Sequence, residues 1–295
     1  MDTIKFYLTR EDRNFNGREI TPEEAEFIIF GVPYDSTSTY RTGSRHAPDA
    51  IRKASINIET YSLRTRMDAY NLKIHDAGNL IPQKSIDKTI NATAEIIREI
   101  IQEEKIPIMM GGEHTITLSA AKAAEDIAMI ILDAHMDLRD EYPQGIKISH
   151  ATVTRRISEK LSPEKIALIG VRAFSEEELE ETEKMGIKYK TAYELQRGNI
   201  KREIEKITEK ITDKKYWLSI DMDILDPSAA PAVANPEPEG LSTHQTLEII
   251  QTLINENIIG FDLVEVTPIY DRGVTAITAA KIILETACLI KKAKP

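Results

Sequence analysis

The sequence is poor in cysteine and in positive charge, and it lacks long apolar runs. Cys288 is its single cysteine, so no disulfide forms within one chain, and a reducing compartment is expected. The formal net charge of −10 argues against nucleic acid or an anionic membrane surface as the main partner. No apolar run approaches about 18 residues, and the first residues lack the basic and apolar segments of a signal peptide. We therefore expect a cytoplasmic protein with no membrane-spanning helix.

Short apolar runs alternate with longer amphipathic stretches along the whole chain. The apolar runs are continuous, which is typical of parallel strands covered on both faces. Strands are predicted at 27–32, 72–75, 106–110, 128–132, 166–170, 216–220 and 261–266. Helices are predicted at 87–104, 200–212, 243–257 and 275–292. Ser242 is expected to cap a helix and Gly186 to end one. No repeat or linker marks a boundary, so residues 1–295 are predicted to form one α/β domain, either an open sandwich or a closed barrel.

Three motifs rich in acidic and imidazole side chains follow three of the predicted strands. They are Gly-Gly-Glu-His at 111–114, Asp-Ala-His-Met-Asp at 133–137 and Asp-Met-Asp at 221–223. Ligands bind beyond the carboxyl ends of parallel strands, so the motifs should meet at one edge of the sheet. A lone Asp-x-Asp is commonly a loop acid, but the shared position of all three motifs favours a metal site.

The donors in these motifs suit two metal ions better than one. The six candidate ligands are His114, Asp133, His135, Asp137, Asp221 and Asp223. Residues two apart in an extended chain point the same way, so the donors within each motif should project to one side. Buried carboxylates without a counter-ion repel one another and lose their charge. Six donors exceed the needs of one ion, and a mostly oxygen set with imidazole favours Mn²⁺, with Co²⁺ or Zn²⁺ chemically possible.

The motifs, taken with further segments, resemble the ureohydrolases, the arginase and agmatinase family. The metal signatures of that family are similar to residues 111–117, 133–137 and 219–227. Other family segments are similar to residues 31–35, 43–48, 149–152 (Ser-His-Ala-Thr) and 264–268 (Val-Glu-Val-Thr-Pro). The resemblance covers nearly the whole chain in order. It implies a three-layer α/β/α sandwich on an eight-stranded parallel sheet, two Mn²⁺ per chain, and a homotrimer or homohexamer.

The resemblance also implies roles for individual residues. One ion would be held by His114, Asp133, Asp137 and Asp221, and the other by Asp133, His135, Asp221 and Asp223. His150 matches the proton-shuttle position, and imidazole titrates close enough to neutrality for that task. Glu265 is assigned to the substrate guanidinium, although a carboxylate in an apolar strand could instead pair with an arginine. Asp226 is interpreted as a turn residue.

The substrate implied by the resemblance is a small cationic guanidine. A guanidinium carbon is a poor electrophile, so its hydrolysis needs hydroxide, which metal ions supply by lowering the pKa of water. The positions by which arginases hold the α-carboxylate and α-amino groups carry Arg139 and Ser175, while residues 137–142 resemble archaeal-type agmatinases. We therefore predict hydrolysis of agmatine to putrescine and urea, a step of polyamine biosynthesis. Asp140 or Glu141 is a candidate partner for the distal ammonium.

One segment departs from the family pattern. Residues 232–236 read Ala-Val-Ala-Asn-Pro where most members have Gly-Thr-Gly-Thr-Pro, so Asn235 replaces a threonine near the bound guanidinium. Asn235 is thus a candidate substrate-binding residue, and aminopropylagmatine, guanidinobutyrate and arginine stay open as substrates. Two other classes also stay open: a deacetylase-type amidohydrolase with a single Zn²⁺, and a catalytically inactive metal-binding homologue.

Overall fold

The computed structural model describes residues 1–294. Its strands, β1 to β11, are Leu8–Thr9, Phe27–Val32, Tyr61–Ser62, Met67–Asp68, Ile74–Leu80, Ile106–Gly111, Ala128–Leu132, Ile166–Val171, Lys188–Thr191, Tyr216–Asp221 and Ile258–Val264. Its α-helices, α1 to α10, are Asp2–Tyr7, Ala47–Ser55, Ile86–Gln102, Leu118–Ala123, Val153–Ser158, Glu176–Met185, Ala192–Arg197, Ile200–Thr208, Thr243–Leu253 and Val274–Ala293. Three short 3-10 helices carry site residues: His114–Thr117, His150–Thr152 and Met222–Ile224. No helix within residues 1–294 is both long and apolar enough to cross a membrane.

Nine strands form the central sheet in the order β1-β5-β2-β6-β11-β10-β7-β8-β9. Eight of them run parallel, and β1 pairs antiparallel with β5 at one edge. The predicted eight-stranded parallel sheet is confirmed, with β1 as an additional strand. Because β1 contains only two residues, it leaves no periodic pattern in the sequence.

Helices cover both faces of the sheet. Alternate strand residues enter different apolar clusters: Ile108 and Met110 of β6 belong to one, and Met109 to the other. Helices α2, α8, α9 and α10 contribute to the first cluster, and α1, α3, α4 and α5 to the second. The fold is therefore the expected α/β/α sandwich, and the two sheet edges exclude a closed barrel.

The predicted segment boundaries fail where strands are polar. The segment 72–75 was placed too early, since β5 continues to Leu80 through Asp76 and Asn79. Buried Arg52 of α2 donates from Nε to Asp76 Oδ2 (2.7 Å) and from NH1 to Asn79 Oδ1 (2.7 Å). The sequence shows the polar residues but not their distant partner. Strand β9 was missed because its residues are half-buried and form no apolar run.

The helix predictions hold with small differences in length. The four predicted helices correspond to α3, α8, α9 and α10. Ser242 caps α9 by accepting a hydrogen bond from Gln245 N–H. Gly186 ends α6 with a left-handed φ of 76°, a conformation that costs glycine little.

Candidate metal centre and substrate cavity

The three sequence motifs meet at the carboxyl edge of four adjacent strands, β6, β11, β10 and β7. His114 follows β6, Asp133 follows β7, Asp221 ends β10, and Glu265 follows β11. Strands that are distant in the sequence are neighbours in this sheet, so its topology brings the candidate ligands together.

Tight turns as well as extended chain direct the side chains toward one another. Asp223 lies in a 3-10 helix, and its N–H donates to Asp221 Oδ1 (2.9 Å). Asp137 has a left-handed φ of 49°, and His135 N–H donates to Asp133 Oδ1 (2.6 Å). The expected alternation is therefore wrong for Asp223 and Asp137, whereas His135 forms a β-bridge with Ala173 and lies in extended chain beside Asp133, and the motifs do converge.

One imidazole faces three carboxylates. His114 Nδ1 lies 2.9 Å from Asp133 Oδ2, 3.2 Å from Asp221 Oδ2 and 3.4 Å from Asp137 Oδ2. All four side chains are buried. The geometry thus joins residues of all three motifs around a single nitrogen.

A second imidazole faces the neighbouring carboxylates. His135 Nδ1 lies 3.0 Å from Asp223 Oδ2 and 3.4 Å from Asp133 Oδ1. Asp133 therefore belongs to both clusters, with one oxygen toward each histidine. Two ligand groups with a shared carboxylate are the arrangement that two bridged cations require.

Hydrogen bonds to the Nε2 side of the His114 ring determine that its other nitrogen is unprotonated and directs a lone pair at the carboxylates. Ser219 Oγ donates to Asp262 Oδ1 (2.6 Å), and Trp217 Nε1 donates to Asp262 Oδ2 (2.6 Å). Because the Ser219 hydroxyl uses its proton in the hydrogen bond to Asp262, its Oγ accepts a hydrogen bond from His114 Nε2 (3.1 Å). Neutral His114 then presents an unprotonated Nδ1, which has no hydrogen-bond partner within residues 1–294. A cation between Nδ1 and the three carboxylates would satisfy all of these groups.

The electrostatics of the cluster show the same need for positive charge. Burial, followed by the charge of Asp133, raises the pKa of Asp137 to about 7. Burial and the charges of Asp223 and Asp133 raise the pKa of Asp221 well above its usual range. The pKa of His114 is also raised well above its usual value, because the carboxylates outweigh burial. Without metal, the cluster would hold protons instead, so the donors fit divalent cations.

We expect Ser219→Ala to weaken metal binding about 10- to 100-fold, since a ligating histidine depends on the group that orients its second nitrogen. Titration of metal-free protein with Mn²⁺ measures the change. Ser228→Ala is the matched control, because Ser228 lies in an exposed turn after the same strand, bonded to Asp226. Equal affinity of the two variants would contradict the role assigned to Ser219.

A cavity of about 480 Å³ opens above the metal cluster. The predicted site residues that line it are His114, His135, Asp137, His150, Asp221, Asp223, Asn235 and Glu265. Asp133 is absent from its walls because it lies beneath them, 1% exposed, between the two histidines. The cavity therefore brings together the candidate ligands and the candidate substrate-binding residues.

Glu265 presents an unpaired carboxylate oxygen in this cavity. Strand β11 ends at Val264, earlier than predicted, and Glu265 follows it with a left-handed φ of 66°. Its Oε1 accepts from His114 N–H (2.6 Å), while buried Oε2 has no partner within residues 1–294. Burial, followed by the charge of Glu113, raises its pKa well above the usual range. No arginine of the described chain pairs with Glu265. Its ionised carboxylate therefore has no cationic partner, and a cationic ligand could take that place.

His150 also lines the cavity, from a 3-10 helix between β7 and α5. Its Nδ1 is 3.3 Å from Thr37 Oγ1, and its Nε2 is 3.4 Å from Thr39 Oγ1. The ring also meets Tyr142 edge-on, with 6.2 Å between centroids. Burial, followed by the charges of His135 and His114, lowers the pKa of His150 to about 4. The imidazole is thus neutral at neutral pH and open to accept a proton.

The arginines of the cavity wall are already engaged. Arg139 Nε lies 3.4 Å from Glu178 Oε2, and its guanidinium stacks on Tyr142, 4.8 Å from the ring centroid. Arg172 donates to several backbone carbonyls, including those of Asp223 (2.7 Å) and Glu237 (2.8 Å). These bonds fix the loops that follow β10.

Two sequence interpretations concern carboxylates near the cavity. Asp140 pairs with Arg156 (2.8 Å) and Lys147 (3.5 Å), and neither it nor Glu141 lines the cavity. Their suggested contact with a distal ammonium is therefore not supported. Glu237 lines the cavity instead, and no cation within residues 1–294 lies within 4 Å of its carboxylate. Asp226 accepts from Ser228 in its own turn, as expected of a turn residue, and also from Gly240 N–H, 14 residues further along the chain.

Sequence reasoning passed over Glu113, Ser219 and Asp262, all of which are fully buried. Asp262 had a detectable signal, because an acid inside the apolar run of β11 requires a partner. Glu113 had a weaker one, since it lies beside His114 in a motif that was interpreted only for its histidine.

Comparison with known proteins agrees with the fold and the site. Residues 25–288 match the Arginase family, so the chain belongs to that family, whose enzymes depend on two metal ions. It is a ureohydrolase that acts on a linear guanidine. It is 35% identical over 264 residues to the agmatinase of Pyrococcus horikoshii, with 88% of this chain and 90% of the relative covered. It is 34% identical to the N(1)-aminopropylagmatine ureohydrolase of Thermococcus kodakarensis, with 95% and 96% covered. The crystal structure of the agmatine ureohydrolase of Thermoplasma volcanium has a TM-score of 0.89 and 34% identity, with 96% of each chain covered.

Proposed function

We propose that this ureohydrolase is an agmatinase that releases urea and putrescine from agmatine. The observation that carries the proposal is the composition of the outer cavity. Arg139 and Arg172 are engaged by the protein itself, whereas Glu237 offers a carboxylate without an ion pair. Such a wall suits a guanidine with a cationic tail better than one with a carboxylate tail. Relatives at 32–35% identity named as agmatinases support the same substrate.

We propose the six acidic and imidazole side chains as ligands of two Mn²⁺, with Asp133 and Asp221 shared. The ligand groups are those described for the family: His114, Asp133, Asp137 and Asp221, and Asp133, His135, Asp221 and Asp223. The contacts of the two histidines support this division. When bound, two such ions lower the pKa of water and supply hydroxide at neutral pH.

The remaining chemistry belongs to two side chains that line the cavity. Glu265 Oε2 accepts hydrogen bonds from the guanidinium and balances its charge, which holds the reacting carbon over the metal cluster. Neutral His150 accepts a proton at Nε2 and passes it on to the leaving amine. Asn235, beside them in the cavity wall, would contact the guanidinium through its amide.

The proposal predicts an order of substrates. In the presence of Mn²⁺, agmatine should give the highest kcat/KM for urea release among agmatine, aminopropylagmatine, guanidinobutyrate and arginine. Glu237→Gln should lower kcat/KM for agmatine about two- to fivefold, mainly through KM, because a partly exposed ion pair is worth about 0.2–1 kcal/mol. The same variant should leave guanidinobutyrate hydrolysis unchanged or improved. Replicate assays across the four compounds measure both effects.

The matched control is Glu239→Gln, two residues along the same loop, since Glu239 is exposed and does not line the cavity. Faster turnover of guanidinobutyrate or arginine than of agmatine would refute the assignment. Higher kcat/KM for aminopropylagmatine would favour the second candidate, which the relative from Thermococcus kodakarensis supports. A homotrimer or homohexamer in the cytoplasm stays a prediction, and sedimentation would check the assembly.

A further inference from the structure

A buried carboxylate lies behind His150, separated from it by one hydroxyl group. Glu113 is fully buried, and its Oε1 accepts from Thr37 Oγ1 (2.5 Å) and Thr115 Oγ1 (2.5 Å). Its Oε2 accepts from the N–H groups of Thr37 (2.8 Å) and Ser38 (3.1 Å). With the Ser38 hydroxyl, which also donates to Oε2 (3.4 Å), five donors converge on this carboxylate, which in its ionised form acts only as an acceptor.

The hydroxyl of Thr37 has one proton and two lone pairs. Its proton points to Glu113, so toward His150 it can only accept. It accepts from the backbone N–H of His150 (3.1 Å) and faces the ring nitrogen Nδ1 (3.3 Å). A neutral His150 must then carry its ring proton on Nδ1, since the other tautomer would set two lone pairs against each other.

The other ring nitrogen is left unprotonated on the side of the cavity. Nε2 lies 3.4 Å from Thr39 Oγ1, and both Thr39 and His150 line the cavity. Thr37 and Glu113 do not line it, so they act on the reaction only through His150.

We propose that Glu113, acting through Thr37, is a positioning residue that holds His150 in its Nδ1–H tautomer and keeps Nε2 free for proton transfer. When Nε2 receives a proton, the Nδ1–H bond to Thr37 is kept. A carboxylate that orients a histidine serves the same purpose in nucleophilic triads, and here a hydroxyl stands between the two. This inference depends on the proton-transfer role proposed for His150.

The tautomer is measured directly by nitrogen NMR of ¹⁵N-labelled, metal-free, full-length protein. His150→Asn assigns the His150 signals among those of the six histidines. The wild type should show a protonated Nδ1 and an unprotonated Nε2. Thr37→Val leaves Nδ1 without an acceptor, so the Nε2–H tautomer that donates to Thr39 should appear. Thr37→Ser should keep the wild-type tautomer.

Kinetics provide the second measurement, with the guanidine that the enzyme hydrolyses fastest. Thr37→Val should lower kcat about 10- to 100-fold, within the range that acid–base catalysis supplies, with KM little changed. Thr37→Ser should restore kcat to within about threefold. Thr115→Val is the matched control for the NMR experiment, because it removes a hydroxyl donor from the same carboxylate without touching His150.

Four results would overturn the proposal: an Nε2–H tautomer in the wild type, an Nδ1–H tautomer retained in Thr37→Val, an undiminished kcat in Thr37→Val, or Thr37→Ser as slow as Thr37→Val. Failure of the proposed function has a different signature. If His150→Asn keeps wild-type kcat, His150 does not transfer the proton, whatever its tautomer.

Discussion

Asp223→Ala should reduce the bound metal from two equivalents per chain to one and lower kcat by about a thousandfold. Asp223 Oδ2 lies 3.0 Å from His135 Nδ1, and its Oδ1 accepts from Ala134 N–H (3.0 Å). Removing the carboxylate leaves His135 with the shared Asp133 and Asp221 as an incomplete ligand group. Charge stabilisation by a metal ion is worth several kcal/mol, and about 1.4 kcal/mol corresponds to a factor of ten in rate. Metal analysis after gel filtration and urea release measure the two effects.

Asp226→Asn is the matched control for this experiment. Asp226 lies three residues further along the same loop and accepts from Ser228 in its turn and from Gly240 N–H, through acceptor oxygens of which asparagine keeps one. This variant should bind two equivalents of metal and keep the wild-type rate. Two equivalents in Asp223→Ala, or a rate equal to that of the wild type, would refute the two-metal assignment.

Glu265→Gln should lower kcat/KM by about 30- to 5000-fold while the metal content stays at two. The substrate guanidinium would meet a neutral amide, and loss of one partner from a buried, hydrogen-bonded charge pair costs about 2–5 kcal/mol. The same change should increase the stability of the folded protein, because the raised pKa of Glu265 shows that burying its charge is unfavourable without a ligand. The unfolding midpoint of metal-free protein should therefore not fall.

Glu285→Gln is a control of the same chemical type at a distance from the site. Glu285 is buried in α10 and bonds to Ser62 Oγ (2.7 Å) and Lys281 Nζ (3.3 Å). We expect it to lower stability and keep kcat/KM, the reverse of Glu265→Gln. A loss of metal from Glu265→Gln, or a matching loss of stability, would instead make Glu265 a structural residue.

Much of the fold could be predicted because continuous apolar runs and helix caps are local signals. Strands such as β2 and β7 were placed to the residue, and Ser242 caps its helix as expected. The polar half of β5 and the short β1 could not be predicted, because their stability depends on Arg52 and on an edge contact with a distant segment.

The candidate site was predictable in composition but less so in geometry. In each of the three metal motifs the candidate ligands lie close together in the sequence, so they can be recognised there. The motifs converge because parallel strands end at one edge of the sheet. The sequence does not reveal that a turn at Asp223 and a left-handed Glu265 aim these side chains. Nor does it show the partners of His150 and His114, because Thr37 and Asp262 are more than 100 residues away from them in the chain.

The two margins of the central sheet bear on how this chain avoids aggregation. Exposed edge strands offer unpaired backbone groups that other chains can extend into fibrils. On one side, β1 covers part of β5 by antiparallel pairing. On the other, β9 is only four residues long and contains Lys188, while its Lys190 is already paired with Glu194 and Glu203. The short length of β9 and the charge of Lys188 disfavour a second chain adding a strand there, so Lys188 is a gatekeeper against intermolecular β-pairing.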